Sequence, residues 1–512
     1  MQWSHTENNT MNQRRSIKMN LCATWLNHGV SLVIGVFLMP YVLHILGDAQ
    51  YGSWIFINAI AGYSGLLYLG FGQTISRYVA HYHAKQDWDR LNHVSNVIFV
   101  IYLGMGSLAL VTAGIIAWLA PHISDWGAIS LFEIRLVILI LGLNVFFGMA
   151  GSVFGGILMG IQRFDIERGI NLTGALLRLV LTLMFLKAEW GLLTIALIFF
   201  TITLVENIGQ CYFAFRQVKT FRIGRKYLDW RILKECGSFS GFAFIDAIAW
   251  TLIEATDSIL IGIFFSPAMI VPYYIALRLT QFINMPIAQI GKVFMPRAGE
   301  LHANDEHRAL QKLVLNGVSL SFLLVTGFFI GVCFFGTTLI NTWIGPGYPE
   351  SHIILMILLG ARIIALPVST FRSVLYGMGH VKVPSLIYIC EAITNLILSL
   401  ILIQSLGLIG VALGTAIPIF IAELGIILPY AMKKLNISAG QLLRTAIAPT
   451  LAPLLVLLGY SYYLPQFFEI RNSWAILAGV AAGGGVFLLG TWLIIEKGAL
   501  LLHRSVPESI NS

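Results

Sequence analysis

The chain has 512 residues, of which 57% are hydrophobic and 11% charged, with a mean hydropathy of +0.81. A soluble globular domain carries roughly 25% charged residues, so the composition excludes an ordinary water-soluble protein. Because the apolar character runs the whole length, it also excludes a soluble domain on a single anchor. The net charge of +8 would suit nucleic acid, but the basic residues sit in short clusters between apolar runs, and nucleic acid is not an expected partner.

Hydrocarbon leaves no backbone group unpaired, and long apolar runs without period-two alternation select helices over barrel strands. The expected class is an all-α polytopic membrane protein with about fourteen transmembrane helices. A polar tail over residues 1–16 precedes a first span at 17–45, which is too long and too interrupted by Asn20, Asn27 and His28 to be a cleaved leader. Further spans are predicted at 53–79, 94–120, 129–159, 166–186 and 192–215, completing an N-terminal six-helix bundle over 17–215. A basic linker at 216–232 leads to spans at 233–265, 270–295, 310–335, 353–376, 383–403 and 409–432, a second bundle over 233–434. Two additional spans at 442–464 and 474–495 occupy residues 435–500, and a tail covers 501–512. The five cysteines are scattered in apolar stretches without metal or disulfide spacing, and no metal or cofactor is expected.

Basic residues assign the faces. Of the 32 Lys and Arg, 24 fall on one side, from Arg14 and Arg15 through Arg216 to Arg231 and on to Lys433, Lys434 and Arg504. Only Lys187 and Arg471 fall on the other, and Arg135, Arg178, Arg278, Lys292, Arg362 and Arg372 lie within spans or near their ends. The positive-inside rule therefore places both termini in the cytoplasm. No connection is long enough to hold a catalytic domain, and there is no GxxxxGK[ST] phosphate loop, so the chain is expected not to be an enzyme.

The halves repeat at an offset of about 217 to 220 residues. LMGIQRFDIERG (158–169) parallels LYGMGHVKVPS (375–385), EWGLLTIAL (189–197) parallels SLGLIGVAL (405–413), and ISRYVAHYHAKQDWDRL (75–91) parallels MPRAGELHANDEHRAL (295–310). Glu206 stands ten residues before Arg216, as Glu423 stands ten before Lys433. A duplicated unit of six spans gives parallel repeats about a pseudo-two-fold axis along the membrane normal, with the substrate expected between the bundles.

With this repeat, LGDAQYGSW (46–54), DSILIGIFFSP (257–267) and YYIALRLTQF (273–282) resemble the polysaccharide-transport branch of the MOP superfamily. That branch holds O-antigen and lipid-linked oligosaccharide flippases, with the lipid II flippase and MATE exporters as more distant relatives. The resemblance implies a flippase that carries an undecaprenyl-pyrophosphate-linked oligosaccharide across the bacterial inner membrane by alternating access, for O-antigen, exopolysaccharide or capsule assembly. Membrane lipids and other polysaccharide-assembly membrane proteins are its expected partners. A cation-coupled MATE-type drug exporter and a membrane-embedded glycan polymerase or transferase are the alternatives.

A charge at the bilayer centre costs roughly 2.5 to 3.5 kcal/mol, and an anionic pyrophosphate needs cationic substitute solvation, for which Arg offers forked donors. The candidates are Arg278, Arg362, Arg178, Arg372, Arg297, Arg77 and Lys292. Arg278 and Arg297 lie roughly 28 Å apart along one helix. Arg362 and Arg372 flank Pro367, where a kink is expected, and Arg372 is placed to snorkel. For Arg297, Arg77 and Lys292, anchoring at the basic face is the competing role. Asp246, Glu254 and Asp257 share one face of span seven, Glu254 roughly 80° and Asp257 roughly 20° from Asp246. These three, with Glu206, Glu423 and His28, either pair with the arginines or couple transport to H+ or Na+. Glu206, Glu391 and Glu423 are the expected partners for Arg178, Arg362 and Arg372. Trp25, Trp54, Tyr63, Tyr68, Trp250, Tyr273 and Tyr274 either stack on sugar rings or form interfacial belts, and GxxxG spacings at 151–155, 156–160 and 479–483 predict close helix contacts.

Overall fold

A computed structural model describes residues 3–68, 71–187, 189–229, 231, 241–468 and 472–504, with the side chains of 3–28, 31–32, 71–73, 241–243 and 494–504 outside that description. The described residues are helical without a strand: α1 Trp3–Gly62, α2 Phe71–Ala84, α3 Trp88–Ile123, α4 Leu131–Gly160, α5 Phe164–Phe185, α6 Gly191–Gln217, α7 Gly241–Phe264 and α8 Ile270–Ala303. They continue as α9 His307–Trp343, α10 Pro349–Gly377, α11 Lys382–Phe420, a π-helical segment Ile421–Ile427, α12 Leu428–Leu435, α13 Ala439–Leu442, a second π segment Leu443–Ile447, α14 Ala448–Phe467 and α15 Trp474–Arg504.

Eleven segments are long and apolar enough to cross a membrane, against fourteen expected crossings. The difference has three sources. Lys382–Leu435 is one segment of 54 residues, about 80 Å of rise against a hydrocarbon core of about 30 Å, and it turns at Gly407, whose φ of 61° favours glycine. The first two spans appear as the single segment Val33–Tyr68, where α1 breaks at Gly47 (φ 69°) and a 3-10 turn at Tyr63–Tyr68 interrupts the expected second helix. Finally α8, which carries Arg278, Lys292, Arg297 and Glu300, is not among the eleven.

The expected repeat is visible in backbone geometry. The turn after α2 puts Gln86 at φ 56° and the turn after α8 puts Asp305 at φ 57°, with matching bonds Asp87 N to Tyr82 O and Glu306 N to Leu301 O, both 2.9 Å. The turns after α4 and α10 put Gln162 at φ 61° and Gly379 at φ 82°, closed by Arg163 N to Leu158 O and His380 N to Leu375 O. These six-to-one bonds over a left-handed residue satisfy the last helix carbonyls. Side-chain caps start other helices: Ser130 Oγ accepts from Glu133 N, and Ser438 Oγ accepts from Gln441 N.

The chain forms two compact units, Met1–Val271 and Pro272–Ser512. The first unit's core gathers Ile75, Val79, Leu91, Tyr102, Ile157 and Phe221, all at most 1% exposed. Two of the GxxxG spacings serve this packing: Gly156 and Gly160 face Ile75 and Val79 of α2, while Gly151 and Gly155 admit Asn207 and Gln210 of α6. A core cluster of the second unit joins Leu310, Val314, Phe371, Val374 and Leu435.

Candidate functional site

Each unit holds a cluster of ionisable side chains inside its spans. In the second unit Arg372 donates through Nη2 to Glu423 Oε1, and both side chains are largely buried. The Arg372 guanidinium also lies 4.8 Å from the centroid of the Tyr388 ring. Glu391, 5% exposed, lies within electrostatic reach of Arg372, Arg362 and Glu423. Two arginines and two glutamates thus gather within one helical bundle, on α10, α11 and the π segment. Glu423 sits in a π-helical turn, an irregularity that often marks functional positions.

This arrangement corrects one expectation. Arg372 does not snorkel to the surface, because a carboxylate already waits at its depth. The helix α10 runs through Pro367 without interruption.

In the first unit the Arg178 guanidinium stands 4.3 Å from the Phe199 ring centroid and within electrostatic reach of Glu206. Gly174 makes room for the Glu206 carboxylate, since a Cβ there would overlap it. The cluster continues through residues the sequence reading did not single out. Glu206 also feels Glu167, which is 6% exposed and 3.2 Å from Arg168, and Glu167 Oε1 accepts from Asn171 Nδ2 at 2.7 Å. Asn207 Nδ2 donates to Phe147 O at 2.8 Å. The signal available was the i,i+4 spacing of Glu167 and Asn171 together with the glycines opposite Asn207 and Gln210.

The aligned repeats use different residues at matching places. With Leu158 set against Leu375, Arg372 corresponds to Gly155, Tyr388 to Asn171 and Glu391 to Gly174, while Glu206 and Glu423 correspond. One half supplies its arginine from the span-four position and the other from span five.

The remaining candidates are spread more widely. Arg278 is exposed, donates through Nη1 to Gln281 Oε1 at 3.0 Å and stacks on Tyr274 at 5.0 Å. Arg297 is exposed and ion-paired with Glu300 at 2.6 Å. Arg77 and Lys292 are exposed. On α7, Asp257 is buried and Asp246 and Glu254 are half-buried, and Tyr63 shares a hydrogen bond of 2.5 Å with the neighbouring Thr256. The side chain of His28 lies outside the described residues. Of the aromatic candidates, Trp54 packs edge-on to Phe199 in the interior and Tyr273 is fully buried, so neither belongs to an interfacial belt, whereas Trp250 is exposed.

Residues 76–352, more than half of the chain, match the family model described as polysaccharide biosynthesis protein. The chain belongs to that family. Among its relatives, this polysaccharide biosynthesis protein is 24% identical over 181 residues to the probable low-salt glycan biosynthesis flippase of Haloferax volcanii, covering 35% of this chain and 38% of that one. It is 26% identical over 239 residues to the probable lipid II flippase MurJ of Rickettsia prowazekii, covering 44% and 46%. An uncharacterized membrane protein of Methanocaldococcus jannaschii is 23% identical, covering 69% and 71%. The chain therefore spans less than half the length of each of those two named flippases. Among solved structures, the lipid II flippase MurJ in an inward closed conformation superposes with a TM-score of 0.66 over 95% of this chain and 98% of that one, at 15% identity. An inward-facing multidrug resistance MATE transporter of the MOP superfamily gives 0.62 over 80% and 94%, at 16% identity. The polysaccharide biosynthesis family member thus has the MOP fold of a multi-pass membrane protein.

Proposed function

We propose that the protein is a flippase that moves an undecaprenyl-pyrophosphate-linked oligosaccharide from the cytoplasmic to the outer leaflet of the bacterial inner membrane, with both termini cytoplasmic. Membership of the polysaccharide biosynthesis family carries this reading, and the relatives named as flippases support it. The protein performs no covalent chemistry; alternating access exposes the headgroup to one side at a time while the polyprenyl tail stays in lipid. Arginine inside the spans supplies the planar donors that an anionic headgroup loses on leaving water. The glycan enters O-antigen, exopolysaccharide or capsule assembly. Coupling to H+ or Na+ runs through carboxylates such as Glu423 and Glu206, which change partners when protonated or cation-bound.

The test is reconstitution with a fluorescent polyprenyl-pyrophosphate oligosaccharide and measurement of its exposure on the far leaflet. Wild type is expected to translocate it, and Arg278→Ala with Arg362→Ala to slow translocation by at least about tenfold, the equivalent of one lost charge-assisted contact. Unchanged transport in the double variant would remove the cationic-headgroup argument.

A further inference from the structure

The two first turns of α3 hold a stretch of chain that follows α6. Asn92 Nδ2 donates to Thr220 O at 3.0 Å, and Asn92 Oδ1 accepts from Arg222 N at 2.8 Å. One turn on, Asn96 Nδ2 donates to Arg222 O at 2.7 Å, and its Oδ1 accepts from Gly224 N at 2.9 Å. His93 Nδ1 lies 2.8 Å from Tyr227 O, and the two rings meet edge-on. Two side-chain amides therefore satisfy alternate peptide groups of the stretch, as a neighbouring strand would. From beneath, Val218 and Phe221 pin it into the first unit's core, at 3% and 1% exposure.

What this fixation leaves outside is a set of cations. Lys219, Arg222, Arg225 and Lys226 are all exposed, and Ile223 is exposed among them at 46%. Arg222 folds back, donating through Nη1 to Lys219 O and Phe221 O at 2.9 and 3.0 Å, and the Lys226 ammonium lies over the Tyr227 ring. No ion pair among the described residues engages these four. Of the neighbouring carboxylates, Asp229 Oδ1 accepts from Arg231 N, and Asp89 Oδ2 stands 3.5 Å from His93 Nε2.

We propose that residues 218–227 form a preassembled docking strap for anionic phospholipid headgroups at the basic face of the membrane. Phosphodiester groups match the ammonium and guanidinium donors, and an outward isoleucine between cations fits the boundary between headgroups and acyl chains. The strap begins at the residue after Gln217, where a helix long and apolar enough to cross a membrane ends. A peptide partner is the poorer fit, because the amides of Asn92 and Asn96 already occupy backbone groups that strand addition would need. The Asn92 and Asn96 clamp spares the bound lipid the cost of ordering the segment. This assignment is independent of the transported substrate.

The experiment uses the purified full chain in nanodiscs of phosphatidylcholine with and without phosphatidylglycerol, reading the thermal unfolding midpoint, and native mass spectrometry to count retained phosphatidylglycerol. Wild type is expected to gain thermal stability and retain phosphatidylglycerol, with retention weakening as salt rises. Lys219→Gln with Arg225→Gln and Lys226→Gln should weaken retention at least about tenfold. Asn92→Ala with Asn96→Ala, which keeps all four cations, should weaken it as well, and Arg225→Gln alone serves as the milder variant should the clamp variant not fold. Lys433→Gln with Lys434→Gln, which removes two cations from the last turn of α12 and none from the strap, should leave retention unchanged. Equal retention in wild type and the triple variant overturns the proposal, as does equal loss in the Lys433 and Lys434 control. Displacement of phosphatidylglycerol by millimolar inorganic pyrophosphate would also overturn it, in favour of a soluble-anion site.

Discussion

Arg372 and Glu423 lie 51 residues apart in the chain, and their ion pair is buried. A buried pair contributes little against an apolar replacement of equal volume, but removing one partner strands the other charge in low dielectric. Arg372→Ala is therefore expected to cost about 3 to 5 kcal/mol, while Arg372→Met with Glu423→Leu should recover most of that loss. Thermal unfolding of the three proteins in one detergent checks both statements. A second titratable residue lies outside the spans, in the turn after α10. His380 is held below the ordinary histidine range first by partial burial and then by the nearby Lys434 and His302. The folded state thus disfavours the charged ring, so the stability linked to His380 is complete at high pH and declines as pH falls through the ordinary histidine value. His380→Gln should flatten that part of the stability profile, a small effect because the ring is mostly solvated.

The helices meet where glycine removes a side chain. At Gly160 a Cβ would stand 2.6 Å from Val79 Cγ1 and 2.8 Å from the Ser76 carbonyl oxygen, so even alanine must displace α2 or α4. Gly160→Ala is expected to destabilise by about 1 to 3 kcal/mol through overpacking. Gly479 on α15 has nothing within 4 Å of that position, and Gly479→Ala should be neutral or stabilising by up to about 1 kcal/mol through helix propensity. Comparing the two melting midpoints separates close approach from propensity. The GxxxG spacing was readable in the sequence, but it did not say that 156–160 faces α2 while 151–155 faces α6. The π segment at Ile421–Ile427 had no sequence signal either, since Glu423 and Gly425 are equally compatible with an ordinary α-helical turn.

For the molecule as a whole, the uneven distribution of lysine and arginine predicts the orientation in the membrane. In a background with the native cysteines replaced by alanine, cysteines introduced at Lys226 and Lys434 should react with an impermeant maleimide only after the cytoplasmic side is opened. Cysteines at Asp125 and Glu350 should react from outside intact cells. Labelling of all four from one side would refute the topology. The helix α8 is less apolar than the other spans because Gln281, Asn284, Pro286 and Gln289 interrupt its first part and Lys292, Arg297 and Glu300 follow, the last two forming a pair.

Composition, the all-helical membrane class, the repeat and the MOP resemblance were all legible in the chain, because membrane partition is decided locally, within windows of about 20 residues. The presence of buried charge was equally legible, since a lone arginine or glutamate in an apolar run stands out at once. Carboxylate partners for Arg178, Arg362 and Arg372 were legible among Glu206, Glu391 and Glu423, and the i,i+3 spacing of Arg297 and Glu300 is local to one helix. The geometry was not: that Arg372 bonds Glu423 directly and that Arg178 rests on Phe199 depended on helix rotation and depth. The clamp of Asn92 and Asn96 on a segment some 130 residues later shows the same dependence. An ionic or hydrogen-bonded contact is set by separations of about 3 Å, and only the packed helices bring distant residues to that distance.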